Sequence, residues 1–311
     1  SKSKGNVVNP EEFTDKYGSD YPFRGCKEIL DDADLVVANL ESALVDTGVP
    51  FPKQYTLKSP PGTEKSLYRA NIRAVTLANN HIMDYGADAL DETMMRLKAS
   101  NIRYFGAGYN KEEALRAAVV DIKDNRVALL GFSATFPQEF WATDTSAGTA
   151  FPYREDLERV IPAYDSTADV VAVVFHWSAE RREFPKDYQV ELAHLCIDLG
   201  ADIIVGHHPH IAQGVEIYRG KPVFYSLGNF AFASYSKSSQ VGLAAVVDIA
   251  GGVPAAAEVI PLNVFNEEVN FQPAPLNGEK RKEFLEYLNT ISSELNKGIT
   301  VINTNGRLVF P

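Results

Sequence analysis

The sequence predicts an α/β fold. Two observations carry that reading. Short β-rich apolar runs alternate with helical patterns through most of the chain, and polar residues able to bind ligands recur just after the apolar runs. No internal repeat or low-complexity tract competes with it.

In chain order, the apolar and β-branched runs Leu35–Asn39, Ala74–Leu77, Val119–Ile122, Val127–Phe132, Val170–Phe175, Ile203–Val205 and Val223–Ser226 read as strands, followed by the longer runs Leu243–Ile249 and Ala256–Ile260. Helical patterns fit Cys26–Leu30, Ala87–Ala99, Glu112–Ala117, Arg154–Ala163, Asp187–Leu199 and Glu279–Leu295. In Ala87–Ala99 the apolar residues Ala87, Leu90, Met94 and Leu97 fall on one face, as an amphipathic helix requires. No Gly/Ser-rich or Pro-rich linker divides residues 1–311, which are read as one domain. The aromatic and polar stretch Phe136–Phe151 (FPQEFWATDTSAGTAF) reads as a lid or substrate-facing loop.

Composition limits the partners. The net charge of −11, from 41 acids against 30 bases, leaves no basic stripe to displace phosphate counterions, so a nucleic-acid partner is excluded. An anionic substrate is not, because bound metal ions can invert the local field. Cys26 and Cys196 are too few and too far apart for a disulfide scaffold or a thiolate zinc site, and read as free thiols or core residues. No apolar run approaches the ~20 residues of a membrane span.

The chemistry is read from the residues just past the strand ends. Five tips carry ligand-type residues: Asn39-Leu40-Glu41, Asn79-Asn80-His81, His176-Trp177, Gly206-His207-His208-Pro209-His210 and Leu227-Gly228-Asn229. A lone His or Asn after a strand is most often a turn residue. Five tips holding five of the six histidines point instead to a shared cleft beyond the carboxyl ends of the strands. His194 lies inside a helical pattern and is assigned to packing or a solvated face. A carboxylate, an amide oxygen and imidazoles suit hard or borderline cations, and two such ions ~3.5–4 Å apart would clamp a phosphoryl group and activate water. No nucleophilic Ser or Cys motif is needed, and none is found. His81 is placed to protonate a leaving oxygen.

These tips resemble the calcineurin-like metallophosphoesterase superfamily, and within it the CapA family linked to poly-γ-glutamate capsule synthesis. The resemblance covers essentially the whole chain, through YGSDYPF (17–23), ADLVVANLES (33–42), LANNHIMDYG (77–86), GAGYN (106–110), FHWSAE (175–180), GADIIVGHHPHIAQGVEIY (200–218) and YSLGNFAF (225–232). It implies a four-layer α/β/β/α sandwich. It also implies a site in which Glu41 bridges metals, Asn80, His176, His208 and His210 complete the ligands, and His81 is the general acid. Asn39, Asp84, Trp177, Glu180, His207 and Asn229 sit in the same motifs as substrate-facing or supporting groups. Asp84 reads as the residue that orients His81, and Trp177 and Tyr225 read as walls rather than chemistry.

The implied cofactor is a pair of divalent ions, Mn, Zn or Fe. Family members begin with a strand ending in Gly-Asp, whose Asp ligates one ion. Gly5-Asn6-Val7-Val8 is a poor match, so that strand is expected to precede residue 1, and without its Asp one ion is expected to bind weakly or be lost. The implied function is metal-dependent hydrolysis of a phosphoester, or less readily of an amide in a poly-acidic polymer, within capsule or poly-γ-glutamate synthesis. The alternative is a non-catalytic, membrane-associated accessory that binds or guides the anionic polymer beside membrane-bound synthase subunits. Kinship alone places the chain on the extracellular face of the membrane or among secreted proteins.

Overall fold

The computed structural model of the protein describes residues 10–310. Gly5–Val8, compared above with the family's first strand, lies outside the described residues.

Three sheets form the frame. A parallel sheet joins β1 (Val36–Asn39), β2 (Ile72–Thr76) and β3 (Arg103–Phe105) in that order. A six-stranded sheet is built from β4 (Ala118–Ile122), β5 (Asn125–Ser133), β6 (Val170–His176), β7 (Ile203–His207), β8 (Val215–Tyr218) and β9 (Lys221–Phe224). Its spatial order is β8-β9-β7-β6-β5-β4, with β5, β6, β7 and β9 parallel and the two edge strands antiparallel. The third sheet is the antiparallel hairpin β10 (Val241–Ala250) and β11 (Val253–Asn263), extended by the short β12 (Ala274–Pro275).

The central strand shows why the layers form. Every residue of β6 is buried, as expected where both faces of a parallel sheet are covered. Successive side chains alternate between faces. Val170, Ala172 and Val174 enter one core with Ala74 of β2, Phe105 of β3, Leu243 and Val259 of the hairpin, and Leu285 and Leu288 of helix Gly278–Ser292. Val171, Val173 and Phe175 enter the opposite core, which helices Arg154–Asp165 and Asp187–Asp198 close with Leu157, Ile161, Ala193 and Cys196. On the far side of the β1–β3 sheet, helix Gly86–Ala99 lays Leu90, Met94 and Leu97 against Ile72 and Val75. The succession is helix, sheet, sheet, helix. This is the four-layer α/β/β/α sandwich expected from the motifs.

Differences from the sequence reading have local causes. The expected helix Glu112–Ala117 is one turn, Lys111–Ala114, because Ala118 must already pair with Leu129 as an edge strand. The helix expected to reach Leu295 closes at Ser292. Within the three sheets, β3, β8 and the two-residue β12 escaped the reading. β3 is only three residues long, and β8 carries Glu216, whose buried carboxylate meets His194 Nε2 at 3.0 Å and the Tyr225 hydroxyl at 2.7 Å. His194 stacks on Tyr218 at 3.7 Å, away from the strand tips.

Phe136–Phe151 is not a free lid. Ala142 donates to the Thr149 carbonyl, Ala150 to that of Gly106, Ser133 to that of Ala150, and the Trp141 indole to that of Thr135. Gly148 passes so close to the chain that a Cβ there would sit 2.4 Å from the Phe140 carbonyl oxygen. The segment is an anchored wall. Both cysteines are free and buried, and among the described residues no helix is long and apolar enough to cross a membrane.

Candidate metal centre

The period of two that builds β6 also aims its last residues. His176 follows Val170, Ala172 and Val174 onto the face toward the β1–β3 sheet, whereas Trp177 follows Phe175 onto the helix side. There the fully buried Trp177 stacks on Phe175 at 4.3 Å and donates its indole N–H to the Tyr225 carbonyl. It is a wall, out of reach of a substrate. Gly206 makes that contact feasible, since a Cβ there would lie 2.0 Å from the Tyr225 oxygen and 2.5 Å from the indole nitrogen. His207 ends β7 directly opposite His176 in the parallel register.

Facing these histidines are the tips of β1 and β2. His176 Nε2 lies 2.8 Å from Asn80 Oδ1 and 3.4 Å from Glu41 Oε1. His210 Nε2 lies 3.8 Å from the same Glu41 oxygen, and its Nδ1 is held at 2.8 Å by Asn229 Oδ1. Glu41, His176 and His208 each offer a ligand atom, all within 4.8 Å of one another. Asn39 steadies Glu41 by donating its amide to Oε2 at 3.1 Å. The two tips are braced by Asn79, which is fully buried. Its amide donates to Asn39 Oδ1 and the Leu40 carbonyl, and its oxygen accepts from the backbone of His81 and Ile82.

Within this group, Glu41 Oε1, His176 Nδ1 and His208 Nδ1 are buried with no hydrogen-bond partner among the described residues. Buried polar atoms are almost always paired, so three orphans in one cluster call for an explanation. Burial holds the imidazoles neutral: it depresses His176, lowers His207 to about 4 and takes His208 to about 3. His176 Nε2 is engaged by Asn80 Oδ1, which leaves Glu41 Oε1 and the Nδ1 atoms of His176 and His208 with no partner. A divalent cation is the partner that fits this donor set. The backbone carries strain at the same place. His208 and His210 hold positive φ of 95° and 59°, which puts a residue in a left-handed conformation on each side of Pro209.

His81 stands slightly apart. Its Nδ1 lies 2.7 Å from Asp84 Oδ2, and Asp84 is fully buried. The Leu57 backbone N–H donates to the same carboxylate, and the Lys53 ammonium lies 2.5 Å from Oδ1 as an ion pair rather than a well-directed hydrogen bond. Lys53 also donates to the Asn80 carbonyl at 2.5 Å and lies 3.2 Å from His81 Nδ1. Sequence reasoning missed Lys53 and gave Asn79 no role. Neither follows a ligand pattern, and Lys53 sits 27 residues before Asn80. Of the residues singled out from sequence, Trp177 is sealed on the helix side, and Glu180 is exposed, with no hydrogen bond or ion pair to the site among the described residues. His207 is placed at the site by its register with His176.

The family profile of the bacterial capsule synthesis protein PGA_cap matches residues 3–234. The chain is 32% identical over 262 residues to the capsule biosynthesis protein CapA of Bacillus anthracis, covering 82% of this chain and 64% of that protein. It is 33% identical over 230 residues to the PGA biosynthesis protein CapA of Bacillus subtilis, covering 71% and 59%. The chain thus spans about three fifths of the length of these curated relatives. In fold it is similar to a putative 5'-nucleotidase from Staphylococcus aureus, with a TM-score of 0.52, 14% identity and coverage of 91% of this chain and 56% of that one. With its motifs and the profile match over most of its length, the chain belongs to the PGA_cap family of CapA-type proteins.

Proposed function

We propose that the chain is a metal-dependent hydrolase of the phosphoesterase type, working in capsule or poly-γ-glutamate biosynthesis. The observation that carries this reading is the cluster of Glu41, His176 and His208, with its three orphaned buried atoms. Glu41, Asn80, His176, His208 and His210 would hold two divalent ions, with Glu41 Oε1 between the imidazoles of His176 and His210. Bound there, Mn, Zn or Fe supplies Lewis acidity and a lowered pKa for an attacking water. The chain's own residues do the rest. Asn39 and Asn229 fix Glu41 and His210, and Asp84 holds His81 through Nδ1. With Nδ1 so engaged, Nε2 is the nitrogen left to deliver a proton to the leaving oxygen. Membrane-bound synthase partners and an extracellular location belong to the same reading.

The test is metal analysis of the purified protein with a chromogenic phosphodiester assay. Glu41→Gln is expected to lower bound metal and turnover together. His81→Ala is expected to keep the metal and lose about 10²-fold or more in turnover. Activity indifferent to both substitutions sinks the mechanism. Binding of poly-γ-glutamate unaffected by chelator, in a protein without hydrolytic activity, would favour the accessory reading instead.

A further inference from the structure

On the helix face of the six-stranded sheet lies a cleft of about 720 Å3 that the reaction above does not use. It opens at the carboxyl ends of β5 and β6. Ala134 in its wall donates its backbone N–H to the His176 carbonyl, and the Tyr188 hydroxyl accepts from the Ser178 backbone two residues beyond His176. Its main wall is a ladder of rings from the anchored segment: Phe136 to Trp141 at 5.9 Å, Trp141 to Phe151 at 3.9 Å and Phe151 to Tyr153 at 4.7 Å between centroids. Phe136 is 72% exposed, a large apolar surface left to water at the lip.

Three features narrow the ligand. Among the described residues no charged side chain lines the cleft, the Lys111 ammonium against the Tyr153 ring is already paired with Asp156 at 2.7 Å, and the chain's net charge of −11 opposes a polyanion. The lining does hold uncharged hydrogen-bonding groups, the Gln138 amide and the Thr143 and tyrosine hydroxyls, which a purely apolar ligand would not need. Neighbouring rings are tilted by 37°, 37° and 55°, which makes a curved wall and not the parallel-walled slot a flat aromatic base would fill. Aromatic faces with neutral donors and acceptors suit a puckered ring that carries C–H on its faces and hydroxyls on its rim. We propose that this cleft is a binding subsite for uncharged sugar rings, and so for a stretch of glycan. The ring ladder is held rigid by the backbone bonds that anchor 133–150, so the site is formed before the ligand arrives.

The chain has two tryptophans, and Trp177 is fully buried, so a ligand-induced change in fluorescence reports on Trp141. Chitotetraose and maltotetraose are titrated in the presence of chelator, with adenosine and sodium poly-γ-glutamate as competitors of other chemistry. At least one oligosaccharide is expected to give a saturable change that is the same with and without chelator. Phe136→Ala, at a position too exposed to threaten folding, is expected to weaken it about tenfold, and Gln138→Ala several-fold, with thermal unfolding unchanged. The proposal is overturned if neither oligosaccharide saturates, if Phe136→Ala and Gln138→Ala both bind like the parent, or if adenosine or the polyanion is preferred. Dependence on metal would also overturn it, by moving the binding to the other site. Because the metal and phosphodiester assays are read separately, failure here leaves the hydrolase reading standing, and the reverse holds too.

Discussion

Lys53 is the single residue whose role is most exposed to test. Asp84 is fully buried, and a carboxylate in that position is tolerable only with cationic and hydrogen-bonding partners. Lys53, His81 and the Leu57 N–H supply them. Removing the ammonium while leaving the carboxylate is the costly direction. Lys53→Met is therefore expected to destabilise the protein by roughly 2–4 kcal/mol. Adding Asp84→Asn should recover part of that loss, because the unpaired charge goes with it. Equilibrium denaturation of the two single variants and the double variant measures the coupling. Additive losses would mean that Lys53 and Asp84 do not act as a pair. Lys53 also ties the segment 51–57 to the Asn80 carbonyl, so its loss should lower turnover through a displaced His81.

At the scale of elements, the crossing of β7 with the end of β9 decides whether the site assembles. Gly206 lets Trp177 reach the Tyr225 carbonyl, and no flexible side chain end could move aside for a Cβ placed 2.0 Å from a backbone oxygen. Gly206→Ala is expected to cost roughly 2–4 kcal/mol, more than an ordinary overpacked position. His207 and His208 come directly after it, so metal affinity should fall with stability. Thermal melts and a metal titration check both. A variant with native stability would show that the strand ends have slack that the close approach denies. The same alternation along β6 separates chemistry from packing. His176 and Trp177 are neighbours in sequence, yet one faces Glu41 and the other is sealed among helices.

For the whole molecule, the buried imidazoles make stability depend on pH. His207 and His208 have folded values of about 4 and about 3, below the ordinary histidine value. Above pH ~6.5 neither state is protonated at these rings, and they contribute no slope. Below it the unfolded chain takes up protons that the folded site refuses, so stability falls as pH falls, until the folded values are reached. The slope is at most about 1.4 kcal/mol per pH unit for each histidine. Calorimetry of chelated protein from pH 7.5 to 4.5 should show the decline, steeper than in a His208→Ala variant. Metal should act in the opposite sense, stabilising by about 2.7 kcal/mol at a hundredfold excess over Kd, and Glu41→Gln should abolish much of that gain. A melting temperature indifferent to both metal and chelator would count against a metal centre.

The order of layers and the identity of the strand tips were legible in the sequence because both rest on local rules. A buried parallel strand is apolar along its length, and its polar ligands come at or beyond its carboxyl end, as VVAVVFH and IIVGH show. Seven consecutive residues suffice to read that. Three things only the tertiary structure decided. It brought Lys53 to Asp84 and Asn79 to Asn39, across 31 and 40 positions, pairings that no periodicity encodes. It decided which of His176 and Trp177 faces Glu41 and which the helices, since that depends on which core each side of β6 meets. It also fastened Phe136–Phe151 to its neighbours through backbone groups. Such bonds are blind to side-chain type, and for that reason a segment that reads as a loop is in fact a fixed wall.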